Sequence, residues 1–272
     1  MTRAAIRRRA GRRLMRPLLM LLTFALLGAV TVTSPTAAVP GQTAGSTTVQ
    51  HYPVVLGLGD SVTAGTACNC EDFITRFADA ISTSSGHRSV GINLGVPGST
   101  SADLESDLDN SDKVRNDVRE AGTVIITIGA NDLNTDLQDE QAGACDESCY
   151  GPDIAEVRTR VGHILQQIRA LRGGQPTKVF VTNYWNVFAD GDVAIADSGQ
   201  QQLAWSDAVT RQANTALCSA ADLAGAVCVD LYSAFKGTGE KDPTRLLASD
   251  GDHPNAAGSK MITAALLAAA GN

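Results

Sequence analysis

From Pro53 onward, short apolar runs alternate with longer stretches whose apolar residues recur at three- and four-residue spacing. The runs at 54–58, 89–94, 123–128, 178–182 and 226–231 are short, and several are β-branched and lack period-two alternation. Runs of this kind predict strands covered on both faces, as in a parallel sheet. Between them, residues 73–81, 101–108, 154–171, 202–223 and 256–269 carry helical patterns. Five strands alternating with five helices predict one α/β domain over 52–272, a three-layer α/β/α sandwich around a mostly parallel five-stranded sheet. No internal repeat and no second linker breaks the alternation.

The N-terminal region follows a different pattern. The first 38 residues hold seven arginines (Arg3, Arg7, Arg8, Arg9, Arg12, Arg13 and Arg16) and no acid. A 15-residue apolar run at 18–32 follows, and then the small residues Thr36-Ala37-Ala38. This order predicts a secretory signal peptide over 1–38, cleaved after Ala38. The run is shorter than the ~20 residues a spanning helix needs, so no stable membrane anchor is expected after cleavage. Arg12-Arg13 offers a twin-arginine signal in poor surroundings, and both export routes stay open. Residues 39–51, rich in Gly and Thr, predict a disordered linker.

Composition sharpens this picture. With 43% hydrophobic residues and 26 glycines in 272, collagen, coiled coil and bulk disorder are excluded. The net charge of −7 averages a cationic leader and an acidic remainder. Residues 39–272 carry 15 basic and 29 acidic side chains, a net charge of −14. That excludes the basic footprint of a nucleic-acid binder. All six cysteines (Cys68, Cys70, Cys145, Cys149, Cys218 and Cys228) follow the leader in three close pairs, which in an oxidising compartment predicts disulfides. Cys145–Cys149 and Cys218–Cys228 are favoured as local bridges, while Cys68–Cys70 would close a very small ring. Zinc is the alternative, although CxC and CxxxC without nearby histidines make a poor tetrahedral set.

Ligands of an open parallel sheet bind at the carboxyl ends of its strands. There the chain places Gly59-Asp60-Ser61, Asn93-Leu94-Gly95-Val96-Pro97-Gly98, Gly129-Ala130-Asn131-Asp132 and, before the last helix, Asp250-Gly251-Asp252-His253-Pro254-Asn255. Each segment alone also reads as an ordinary turn or helix cap. Together they supply the parts of acyl transfer. Ser61, at a strand-to-helix turn, is the candidate nucleophile and needs a base. His253 is the histidine flanked by acids at that edge. Asp250, three residues earlier, is the candidate orienter of its imidazole, with Asp252 as competitor. The Ser61 and Gly98 amides and the Asn131 side chain are candidate oxyanion donors. No metal and no cofactor is required by this set.

These four blocks, in this order, resemble the SGNH/GDSL hydrolase superfamily over about residues 53–270, with Gly59-Asp60-Ser61-Val62 departing from the commoner Gly-Asp-Ser-Leu. The resemblance implies a flavodoxin-like α/β/α fold and metal-independent ester hydrolysis by Ser61, His253 and Asp250, with Ser61, Gly98 and Asn131 lining the oxyanion hole. The expected enzyme is a secreted, monomeric carboxylic-ester hydrolase acting on a small-molecule acyl ester, a lipid or an acylated sugar. An acetyl-carbohydrate esterase and a phospholipase are the alternatives within the fold. Outside it stand a metallophosphoesterase, which would draw on more histidines than His253, and a non-catalytic lipid or glycan binder. Tyr184-Trp185-Asn186-Val187-Phe188, after the fourth strand, is a candidate subsite wall or core.

Overall fold

A computed structural model describes residues 53–134 and 146–271. The leader, the linker and Cys145 lie outside the described residues. Five strands form: β1 (Val54–Gly59), β2 (Val90–Gly95), β3 (Ala121–Thr127), β4 (Lys178–Thr182) and β5 (Val227–Val229). All neighbours pair in parallel, in the order β2-β1-β3-β4-β5. This is the doubly wound order of the flavodoxin type, with its switch point between β1 and β3. Val55, Leu56, Leu58, Val124, Ile125, Ile126, Phe180 and Val181 are all buried. A strand shielded on both faces needs no polar alternate positions, which explains the unbroken apolar runs.

The helices are α1 (Ser61–Ala64), α2 (Phe73–Ser85), α3 (Ser101–Asn110), α4 (Asp112–Glu120), α5 (Tyr150–Arg172), α6 (Gly191–Leu223), α7 (Leu231–Lys236) and α8 (Ala256–Ala270). Helix α2 packs against α8, and α5 against α3, α4 and α6, giving a layer on either side of the sheet. Local chemistry sets the ends. Asp72 accepts from the Ile74 and Thr75 amides to start α2, Gly86 at φ 71° ends it, and Thr100 with Asp103 forms a capping box on α3. Among the described residues no helix is long and apolar enough to cross a membrane.

Several bounds depart from the pattern. The run at 226–231 becomes a strand of three residues, because the Asp230 side chain accepts from the Ser233 amide and caps α7. Helix α6 begins at Gly191 rather than 202 and is broken at Gly199, whose φ of 83° and ψ of 167° are non-helical. Helix α4 was missed because its nine residues are mostly charged and it buries only Val118.

Candidate active site

Strand β1 ends against its neighbour. Gly59 has φ 129°, and a Cβ there would stand 1.9 Å from the Thr127 carbonyl oxygen of β3. Only glycine permits that approach. The Asp60 amide then donates to Thr127 O at 3.0 Å, and the Asp60 carboxylate accepts from the Val62 amide at 3.0 Å, capping α1. Ser61 is thereby the first residue of a four-residue helix at the topological switch point, the position at which such sheets bind ligands.

The β2 loop closes on the same edge. Val96 N donates to Gly59 O at 2.8 Å, and Ser99 N donates to Val96 O at 3.1 Å. Pro97 and Gly98, the latter at φ 81°, are the central residues of this tight turn, the arrangement expected for a turn that needs positive φ at its third position. After β3, Asn131 opens a 3-10 turn and donates through Nδ2 to Ser99 O at 2.9 Å. Asp132 accepts from the Ser101 amide at 2.9 Å and the Ser101 hydroxyl at 2.5 Å, tying the turn to the start of α3.

The last segment is a turn stapled by a Leu247–Pro254 bridge, an Ala248 N to His253 O bond of 2.8 Å and a Gly251 N to Ala248 O bond of 3.1 Å. Within it His253 Nδ1 lies 2.9 Å from Asp250 Oδ2 and 3.7 Å from Asp252 Oδ2. Asp250 also accepts the backbone amides of Asp252 and His253, at 3.0 and 3.1 Å. Burial pushes the Asp250 carboxyl up, and these hydrogen bonds outweigh it, leaving its pKa below the ordinary value. Asp250 is therefore a charged carboxylate facing Nδ1 of the imidazole.

Ser61, Asn131, Asp250, Asp252 and His253 all line one cavity of about 340 Å³. Tyr184, Trp185, Val187, Phe188 and Ala189, after β4, form its other wall. Gly98 stands on the neighbouring turn, next to Ser99, whose carbonyl oxygen accepts from Asn131 Nδ2. Trp185 is buried and stacks on Phe235 with centroids 4.4 Å apart, so it also supports the floor.

Two features escaped sequence reading. Tyr184 OH donates to Asp60 Oδ2, 124 positions away, inside the protein. Burial pushes the Asp60 carboxyl up to about 7, although the hydrogen bonds from Tyr184 and the Val62 amide favour its charged form. Behind the β4 wall, buried Lys236 pairs with Asp190 and Asp207, each at 2.7 Å. The Asp190 amide donates to Gly251 O at 2.7 Å, which anchors the His253 turn to this ion network.

Cys68–Cys70 and Cys218–Cys228 are bridged. Cys149 is disulfide-bonded as well. Ala67, just before the small Cys68–Cys70 ring, and Asn69 inside it have φ of 58° and 47°. Among the described residues no group of three or more His, Cys, Asp or Glu side chains gathers to hold a metal ion.

No curated protein matches this chain by sequence. Among solved structures, a lipase from a goat rumen metagenome is 21% identical, with 80% of this chain and 97% of that one covered at a TM-score of 0.67. A lipase/acylhydrolase from Enterococcus faecalis is 18% identical, covering 79% and 94% at 0.54. A catalytic mutant of an acetylxylan esterase from Geobacillus stearothermophilus is 16% identical, covering 80% and 94% at 0.57. These likenesses show the shared fold. The model of the GDSL-like lipase/acylhydrolase family matches residues 58–261. With most of its length matched, the chain belongs to the GDSL-like lipase/acylhydrolase family.

Proposed function

We propose that the protein is an exported, metal-independent carboxylic-ester hydrolase in which Ser61 is the nucleophile, His253 the general base and acid, and Asp250 the orienting carboxylate. Family membership carries the ester-hydrolase class. The finer reading rests on the 2.9 Å Asp250–His253 contact opening onto the same cavity as Ser61 and Asn131. With Nδ1–H directed at Asp250, His253 Nε2 takes the Ser61 proton as Oγ bonds to the ester carbonyl carbon. The carbonyl π electrons pass to oxygen, and the Ser61 and Gly98 amides and the second Asn131 Nδ2 hydrogen stabilise the oxyanion. Collapse breaks the carbon–alkoxy bond, and His253 returns its proton to the leaving alcohol. Water, deprotonated by His253, then releases the acid and restores Ser61. The arginine-rich leader of 1–38 and the disulfides support export.

The test is hydrolysis of p-nitrophenyl acetate by purified protein in the presence of EDTA. Ser61→Ala and His253→Ala are expected to lose roughly 10³-fold or more in kcat/KM, and Asp250→Asn less. Full turnover by Ser61→Ala overturns the mechanism, and loss of activity in EDTA with Ser61→Ala still active points to metal-assisted hydrolysis.

A further inference from the structure

The main-chain ladder of the sheet stops short of the site. Pairing of β1 with β3 ends at Gly59–Thr127, and pairing of β3 with β4 ends at Ile126–Val181. Past those pairs, two side-chain hydrogen bonds tie β4 to the ends of β3 and β1. Thr182 Oγ1 donates to Thr127 Oγ1 at 2.8 Å in the buried interior. The second tie reaches farther. Tyr184 follows β4, and its hydroxyl donates to Asp60 Oδ2 at the end of β1, with β3 lying between the two strands. That span is two strand spacings, about 10 Å, which a long side chain with a polar tip can bridge. Asp60 in turn accepts from the Val62 amide at 3.0 Å, so Ser61 stands between two residues that this tie holds. The Ala130 amide, next to Asn131, faces the same phenol oxygen. Tyr184 is itself fixed from α6, where Asn214 accepts from its amide at 2.9 Å and donates to its carbonyl oxygen at 2.7 Å.

We infer that Tyr184 is a positioning residue for catalysis: its one hydroxyl sets the gap between the Ser61 nucleophile and the Asn131 donor, and Asn214 sets Tyr184. The inference rests on the ester-hydrolase reading above. Ser61 and Asn131 stand on turns after different strands, and the oxyanion forms between them. A donor works there only if it is already in place when the charge develops. A misplacement of about 1 Å at such a site costs about 10²-fold in rate. Tyr184 and Asp60 are each 1% exposed, so the tie between them is dry and little screened. Burial, and after it the Asp60 charge, push the Tyr184 phenol well above its ordinary pKa, so it stays a donor throughout the working pH range. The hydroxyl is committed to Asp60, while Tyr184→Phe keeps the ring in the cavity wall. Its loss is therefore felt in the reaction and not in the binding of substrate.

The experiment separates kcat from KM for p-nitrophenyl acetate in the wild type, Tyr184→Phe, Asn214→Ala, Asp60→Asn and the variant combining Tyr184→Phe with Asp60→Asn, each checked for folding by circular dichroism. Tyr184→Phe is expected to lower kcat about 10- to 100-fold while KM stays within about twofold, because acylation and deacylation use the same oxyanion site. Asn214→Ala takes no group from the cavity wall and is expected to lower kcat roughly threefold or more, again with KM kept. The combined variant is expected to lose less than the product of its two single losses, since both substitutions weaken one tie. A Tyr184→Phe kcat within about twofold of wild type overturns the inference. So does a loss that falls on KM with kcat kept, which would make Tyr184 a binding contact, and so do single losses that multiply in full. Should Tyr184→Phe fail to fold, a wild-type kcat in Asn214→Ala overturns it equally. Failure of the ester-hydrolase reading itself is told apart by the wild type, which would then turn over no ester.

Discussion

Asp60→Asn isolates the most strongly perturbed carboxyl beside the site. Asp60 is 1% exposed, and burial raises its pKa from 3.8 to about 7. In the unfolded chain the same group titrates near 3.8, so between these values the folded state holds a proton that the unfolded state has lost. Its contribution to stability is fully present below pH 3.8 and is lost as pH rises through about 7. Three pH units at 1.36 kcal/mol each amount to about 4 kcal/mol. Asparagine keeps the acceptor for the Val62 amide but cannot titrate, so the variant lacks this slope. Its weaker pairing with Tyr184 adds an offset that does not change with pH. Urea unfolding of both proteins, disulfides intact and followed by circular dichroism from pH 4 to 8, gives the difference in unfolding free energy. Wild type minus variant is expected to fall by about 4 kcal/mol across that range, other carboxylates cancelling in the difference. A difference constant to within about 1 kcal/mol would show Asp60 to be an ordinary carboxylate and refute the burial argument.

Lys236→Met leaves the buried Asp190 without its cation and should cost about 3–5 kcal/mol, read as a fall in Tm that Lys236→Arg largely avoids; an unchanged Tm would mean the ion network is dispensable. Gly59→Ala forces a Cβ to within 1.9 Å of Thr127 O and should destabilise by roughly 4 kcal/mol or abolish folding, whereas a wild-type melting curve contradicts the close β1–β3 approach. Ala67→Gly, at φ 58°, should stabilise by about 1 kcal/mol and raise Tm by about 2–4 °C, unless the position relaxes at no cost, in which case Tm stays put.

The strand-end segments were legible because their signals are local. A β-branched run followed by Gly-Asp-Ser, Gly-Ala-Asn-Asp or Asp-Gly-Asp-His marks where a buried strand or a helix start meets a polar turn. The Asp250–His253 pair lies within one turn, so spacing alone brought it into reach. The oxyanion set was less fully legible. The turn that carries Gly98 is tied to Asn131 through Ser99 O, a contact across 32 positions that no local pattern announces. The helical arm at 191–198 gave no clear pattern, because it rests inward on little more than Ala194 and leaves Ile195 exposed. The charged α4 was invisible because it buries only Val118, and α7 because its six residues are too few to show a period and its start is set by the capping side chain of Asp230.

The sequence by itself determined the α/β class, the single parallel sheet and the edge at which Ser61, Asn131 and His253 fall, since hydrophobic period and turn residues are read within a few positions. Only the tertiary structure decided which groups meet across distance. Tyr184 finds Asp60, and Lys236 finds Asp190 and Asp207, because β4 and α6 return to the switch point after a long excursion. Burial and pairing set the charge state of a carboxyl and the shape of a pocket, and both are properties of the packed chain, with no local signature.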